Sequence, residues 1–125
     1  MIQAIFEIDK DSGALIMSME GHAGSDLPGK DLVCCSASVL AYTLAQNLDV
    51  LYNLKRLKKK PKTKFNSGDI EIVAKPTKEA RSEVLHTFVV IEVGVMMLAA
   101  EYPEYIQIKP FDLAKDNKGP EPVNK

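Results

Sequence analysis

The chain has 125 residues, 46% hydrophobic and 26% charged, with 16 basic against 17 acidic residues for a net charge of −1. That length holds one domain with room for a core that needs no staples. The balanced charge excludes a global pull toward nucleic acid or anionic membrane, and the lack of Trp argues against a base-stacking platform. The two cysteines, Cys34 and Cys35, are sequence neighbours. Adjacent sulfurs do not suit a normal disulfide, which excludes a secreted disulfide scaffold.

Ile2, Ala4, Phe6 and Ile8 alternate with Gln3 and Glu7, the period of a half-buried strand. This N-terminal stretch has no basic region and no long apolar core, so it does not read as a signal peptide. Asp9-Lys10-Asp11-Ser12-Gly13 is a turn cluster, and Leu15, Met17 and Met19 alternate beyond it, so the two runs predict a β-hairpin. Its second strand leads straight into Gly21-His22-Ala23. Residues 24–30 read as a loop in which Gly24 and Gly29 bracket Asp26-Leu27-Pro28, and the bracketing glycines predict a flexible lid. A long helix is expected from Leu32, because Val33, Ala37, Leu40, Leu44, Leu48 and Leu51 recur at helical spacing. Asp31 is its natural N-cap.

Lys55, Arg56, Lys58, Lys59, Lys60, Lys62 and Lys64 crowd a ten-residue run that contains Pro61 and must end the helix. Phe65 on one side of Asn66-Ser67-Gly68-Asp69, and Ile70, Ile72 and Ala74 on the other, predict a second hairpin. Pro76-Thr77 is expected to open a second helix with Thr77 as cap, running through Val84, Phe88, Ile91, Val95, Leu98 and Tyr102 to a stop at Pro103. Leu85, Val89, Met96 and Ala99 widen its apolar stripe enough to call for burial on more than one side. Tyr105 to Ile108 predicts a short closing strand, and Pro110 to Lys125 a flexible tail, so the folded domain is expected over residues 1–109 and the tail over 110–125. The order ββαββα points to an α+β fold, a two-layer sandwich of one antiparallel sheet and two helices. Ser36, Thr43 and Glu92 break the apolar stretches, and no membrane contact is expected. The cytoplasm is the expected location.

The chemistry concentrates where the second strand exits and the first helix begins. A thiol in the first turn of a helix sees the partial positive charge of the helix N-terminus, which favours the thiolate, and a nearby imidazole can take its proton. Cys34 has that position and His22 precedes the loop that leads to it. First-turn N–H groups are also suited to an oxyanion. The same residues fit a plainer reading, in which Cys34 is a small buried side chain and His22 a turn residue. Ser38 lies one helical turn beyond Cys34 on the same side. Cys35 reads as a small side chain on the first turn. His86 stands apart from any acidic or thiol group in sequence and reads as a surface residue. No ligand pair at zinc spacing is present, so neither a metal nor a cofactor is expected.

Gly21-His22-Ala23, the loop with Gly29, then Asp31-Leu32-Val33-Cys34 and Ser38 resemble the ribosomal-processing cysteine proteases, the Prp family. The resemblance spans about residues 1 to 109. It implies a cysteine endopeptidase with His22 and Cys34 as catalytic dyad, Asp31 and Ser38 in support, and no cofactor. Cys35 departs from the pattern, in which a small residue such as Ala is usual. The implied substrate is the N-terminal extension of a ribosomal protein precursor, the large-subunit protein numbered twenty-seven, and the implied assembly a homodimer. The basic segment Lys55 to Lys64 suggests a ribosomal RNA contact. The competing expectation is a non-catalytic ribosome-associated module that binds through that same segment.

Overall fold

The computed structural model describes residues 1–22 and 30–113, apart from the side chains of Lys30 and Asp31. The first hairpin forms as its alternation requires: β1 (Ile2–Ile8) pairs antiparallel with β2 (Leu15–Glu20), Phe6 opposite Met17. The turn between them is tied by Asp9, whose carboxylate accepts the Asp11 N–H at 3.0 Å and the Ser12 hydroxyl at 2.9 Å. Those two donors, Ser12 first, hold the Asp9 carboxyl below its usual pKa.

After β2 come α1 (Lys30–Asn53), β3 (Lys62–Asn66), β4 (Asp69–Ala74), α2 (Arg81–Glu101) and β5 (Ile106–Lys109). The five strands form one sheet in the order β3-β4-β2-β1-β5. The α+β two-layer architecture is the expected one, with a correction: β5 pairs parallel with β1, Ile2 opposite Ile106, so the sheet is mixed rather than antiparallel. The crossover through α2 from β4 carries the chain past β2 and β1 to the far edge, and it arrives there running the same way as β1.

One face of the sheet is apolar. Ala4, Phe6, Leu15, Met17, Ile72 and Ile106 come into line there by register and are almost fully buried. Val33, Ala37, Leu44 and Leu48 of α1 and Val84, Phe88, Ile91 and Val95 of α2 close over them. Each large side chain removed from water in this way contributes about 1.5–3 kcal/mol.

α1 begins at Lys30, which puts Asp31 inside the first turn rather than at the cap position. The helix ends in a Schellman motif: Arg56 N–H bonds to Leu51 C=O and Lys55 N–H to Tyr52 C=O, each at 2.9 Å. Lys55 occupies the left-handed position of that motif, φ 65°, where Gly is usual. α2 starts at Arg81, later than Pro76-Thr77 suggested. Thr77 closes a separate turn instead, its hydroxyl oxygen accepting the Ala80 N–H at 3.2 Å, and the helix N-cap at Ala80 has no side-chain cap.

The boundary at 109 is also corrected. Phe111 is buried, with edge contacts to Phe6 and Phe88 at ring separations of 5.6 and 6.2 Å. Its N–H donates to Oε2 of Glu92 at 2.7 Å. Glu92 is a buried carboxylate on α2, and this bond gives it a partner. Packing therefore runs past β5, and residues 114–125 of the expected tail lie outside the described residues.

By length and composition α2 would suffice to cross a membrane. Here one side of it packs on the sheet, and the other leaves Val90, Val93 and Met97 exposed. Outward apolar residues on α1 include Leu32, Val39 and Val50.

Candidate active site

A cleft of about 280 Å³ opens where β2 ends, bounded by α1 and the β3–β4 hairpin. His22, Cys34 and Ser38 all line it. The strand exit and the helix start thus present these three side chains to one cleft.

His22 is placed from two sides. Gly21 before it has φ 97°, and a Cβ there would collide with the Met1 carbonyl oxygen, so only glycine fits. The terminal amino group of Met1 donates to the His22 carbonyl oxygen. Gly21 N–H bonds to Gly68 C=O at 2.9 Å, which joins the β2 exit to the second hairpin turn. The outer edge of the His22 imidazole then rests on Gly68 itself: a Cβ at residue 68 would stand 2.6 Å from Nε2 and 2.9 Å from Cε1.

Cys34 is half-buried and is the fifth residue of α1, so the early helix start places it at the opening of the second turn rather than in the first. Ala37 and Ser38, one turn on, carry the cleft wall forward, and Tyr42 extends it by another turn. The Tyr42 ring stacks on Phe65 of β3, centroids 4.6 Å apart and planes 13° from parallel. This stack fastens the hairpin to the helix that bears the thiol. Lys64 and Asp69 pair across the hairpin at 3.0 Å. That partner holds the Lys64 ammonium above its usual pKa.

Cys35 is exposed and is not among the residues lining the cleft. His86 is exposed on α2, as its sequence setting suggested. The Asp31 side chain, Gly24 and Gly29 lie outside the described residues, and with them the expected lid. Among the described residues no group of three or more His, Cys, Asp or Glu is placed to hold a metal ion. Sequence reasoning missed Gly68, Phe65 and Tyr42 as parts of the site. Asn66-Ser67-Gly68-Asp69 signals a turn but not what the turn touches, and Tyr42 lies off the apolar stripe of its helix, where nothing in the sequence sets it apart.

Chemically, the cleft offers a thiol and an imidazole beside an apolar floor of Ile2, Met19 and Ile70, the equipment of a thiol hydrolase. The family model of the cysteine protease Prp matches residues 1–107, and the chain belongs to that family. Among solved structures, the ribosomal processing protease Prp of S. aureus, determined with a covalently linked product peptide, is similar at TM-score 0.63 and 21% identity, over 90% of this chain and 100% of that one. The same protease with a substrate peptide gives TM-score 0.64 at 20% identity, with the same coverage. SMU.848 from Streptococcus mutans gives TM-score 0.62 at 28% identity, over 87% of this chain and 92% of that one. No match was found among curated proteins.

Proposed function

We propose that this chain is a cysteine endopeptidase that removes the N-terminal extension of a ribosomal protein precursor during ribosome assembly, the large-subunit protein numbered twenty-seven being its substrate. The observation that carries the reading is that His22 and Cys34 open onto one cleft, in a chain that belongs to a cysteine protease family. The relatives solved with substrate and product peptides support a peptide as the occupant.

His22 takes the thiol proton, and the Cys34 sulfur attacks the scissile carbonyl carbon. The tetrahedral intermediate collapses to a thioester as the leaving amine takes the proton from His22. Water then attacks the thioester, losing a proton to His22, and the carboxylic acid departs as the thiol is restored. Ser38, on the cleft wall next to Cys34, supplies a hydroxyl near the reacting carbonyl. The mechanism requires no cofactor. A free thiol and a nascent ribosomal protein meet in the cytoplasm, where thiols stay reduced.

We assign the outer apolar residues Val90, Val93 and Met97 of α2 to a homodimer contact. Sedimentation at micromolar concentration is expected to give the mass of a dimer, and a monomer would remove that assignment. The proposed activity is tested by incubating the protein with the precursor from its own organism. Cleavage by the wild type and none by Cys34→Ala is expected. An intact precursor with both would reject it.

A further inference from the structure

The segment between α1 and β3 holds the densest charge in the molecule, and the cleft does not use it. Seven of the 16 basic residues lie between Lys55 and Lys64 in a chain of net charge −1. Two of the seven are committed to partners: Arg56 to Glu83 and Lys64 to Asp69, each at 3.0 Å. Lys55, Lys58, Lys59, Lys60 and Lys62 are exposed and have no ion pair among the described residues.

These lysines sit on a fixed surface, not on a tail. The Schellman motif sets the exit from α1. Leu57 is buried and bridges to Pro76, and Lys58 N–H bonds to Lys75 C=O at 2.8 Å. Lys62 then opens β3, whose other end, Asn66, lines the cleft. At about 3.3 Å per residue, the patch starts about 13 Å from the cleft along one strand.

We propose that this surface docks a nucleic-acid backbone, single-stranded RNA in particular, and holds it at the end of β3 remote from the cleft. Lysine ammoniums are hydrated point charges that suit phosphates. Lysine is depleted from the cores of protein–protein contacts, so a surface built of it is a poor anchor for an acidic protein. A groove beside the patch is lined by Lys60, Asp49, Tyr52 and Asn53. Tyr52 offers one ring face to a base there, and Asn53 and Asp49 offer hydrogen-bonding groups to a base or ribose. One ring makes no stacking platform, so binding is carried by phosphates and is independent of sequence. The overall charge balance does not oppose this, because the field that a phosphate chain meets is local.

The surface is independent of the peptidase chemistry, and its test separates the two. Binding of a labelled oligouridylate of about 20 nucleotides is followed by anisotropy across about 50 to 200 mM salt. The full chain is compared with Lys58→Ser/Lys59→Ser/Lys60→Ser/Lys62→Ser, and labelled polyglutamate of similar length is the second probe. Each lost phosphate contact lowers the salt slope by about 0.7, so the variant's slope is expected to be shallower by about 3. RNA affinity of the variant is expected to fall more than tenfold at low salt, and short-peptide cleavage to stay unchanged. No RNA binding at low salt, equal binding by the variant, or polyglutamate bound as tightly as RNA would overturn the proposal. A chain that binds RNA but cleaves no peptide would reject the protease reading and leave this one standing.

Discussion

The imidazole of His22 rests on Gly68, with no space for a side chain between them. Gly68 lies at the tip of the second hairpin with φ 71°, and its carbonyl oxygen also holds Gly21 N–H. A residue from the β3–β4 turn thereby fixes the ring that belongs to the β2 exit. The Tyr42–Phe65 stack ties the same hairpin to the helix of Cys34. The hairpin thus touches the imidazole directly and is tied to the helix that carries the thiol.

Gly68→Ala is expected to displace the imidazole and lower kcat by about 100-fold, the cost of a misplacement on the order of 1 Å. The left-handed backbone adds a stability loss of about 1 kcal/mol. Kinetics and urea melts on the same preparation separate the two effects. Unchanged kcat in a folded variant would show that Gly68 does not position His22.

Phe111→Ala is expected to destabilise the fold by about 3 kcal/mol, because it empties the space between Phe6 and Phe88. Urea denaturation measures this. A loss within about 0.5 kcal/mol, the usual range for surface positions, would restore the domain boundary at 109.

Lys55→Gly is expected to stabilise by about 1 kcal/mol, since glycine takes the left-handed position of the Schellman motif without the Cβ penalty. A rise in the urea midpoint with an unchanged slope is the expected result. A fall would mean that the lysine side chain contributes more to the fold than its backbone costs.

The Asp9 turn gives a pH dependence of known sign. The folded state lowers the Asp9 pKa from its reference value of 3.8, chiefly through the Ser12 hydroxyl and then the Asp11 N–H. The stability it contributes is therefore complete above the unfolded carboxylate pKa and is lost as pH falls through the lower, folded value. Ser12→Ala should be less stable than wild type at neutral pH, and the gap should narrow as pH falls through that range. A gap that stays constant would mean that Ser12 acts independently of the Asp9 charge.

Much of this architecture was legible in the sequence, and the limits are physical. Ile2 to Ile8, Leu15 to Met19 and the α1 stripe showed their periods because each buries one face against one core. The parallel partner of β5 was not legible, because a four-residue strand carries no record of where its crossover lands. Thr77 looked like a helix cap because cap and turn use the same hydroxyl bond to a backbone N–H. Phe111 was one aromatic in a polar window after Pro110, and only its neighbours in space reveal its burial. At the site, Gly21-His22-Ala23 and Asp31 to Cys34 marked the local pair. Nothing local could place Gly68 against His22, since that contact depends on β4 pairing with β2.

The central claim is that Cys34, and not its neighbour, is the nucleophile. Exposure argues the other way: Cys35 is the open thiol and Cys34 is half-buried. Access alone would therefore direct a small alkylating agent to Cys35, whereas activation by His22 in the shared cleft would direct it to Cys34. Peptide-mapped mass spectrometry after stoichiometric iodoacetamide at neutral pH decides between them. The account predicts the label on Cys34, and preferential labelling of Cys35 would contradict it.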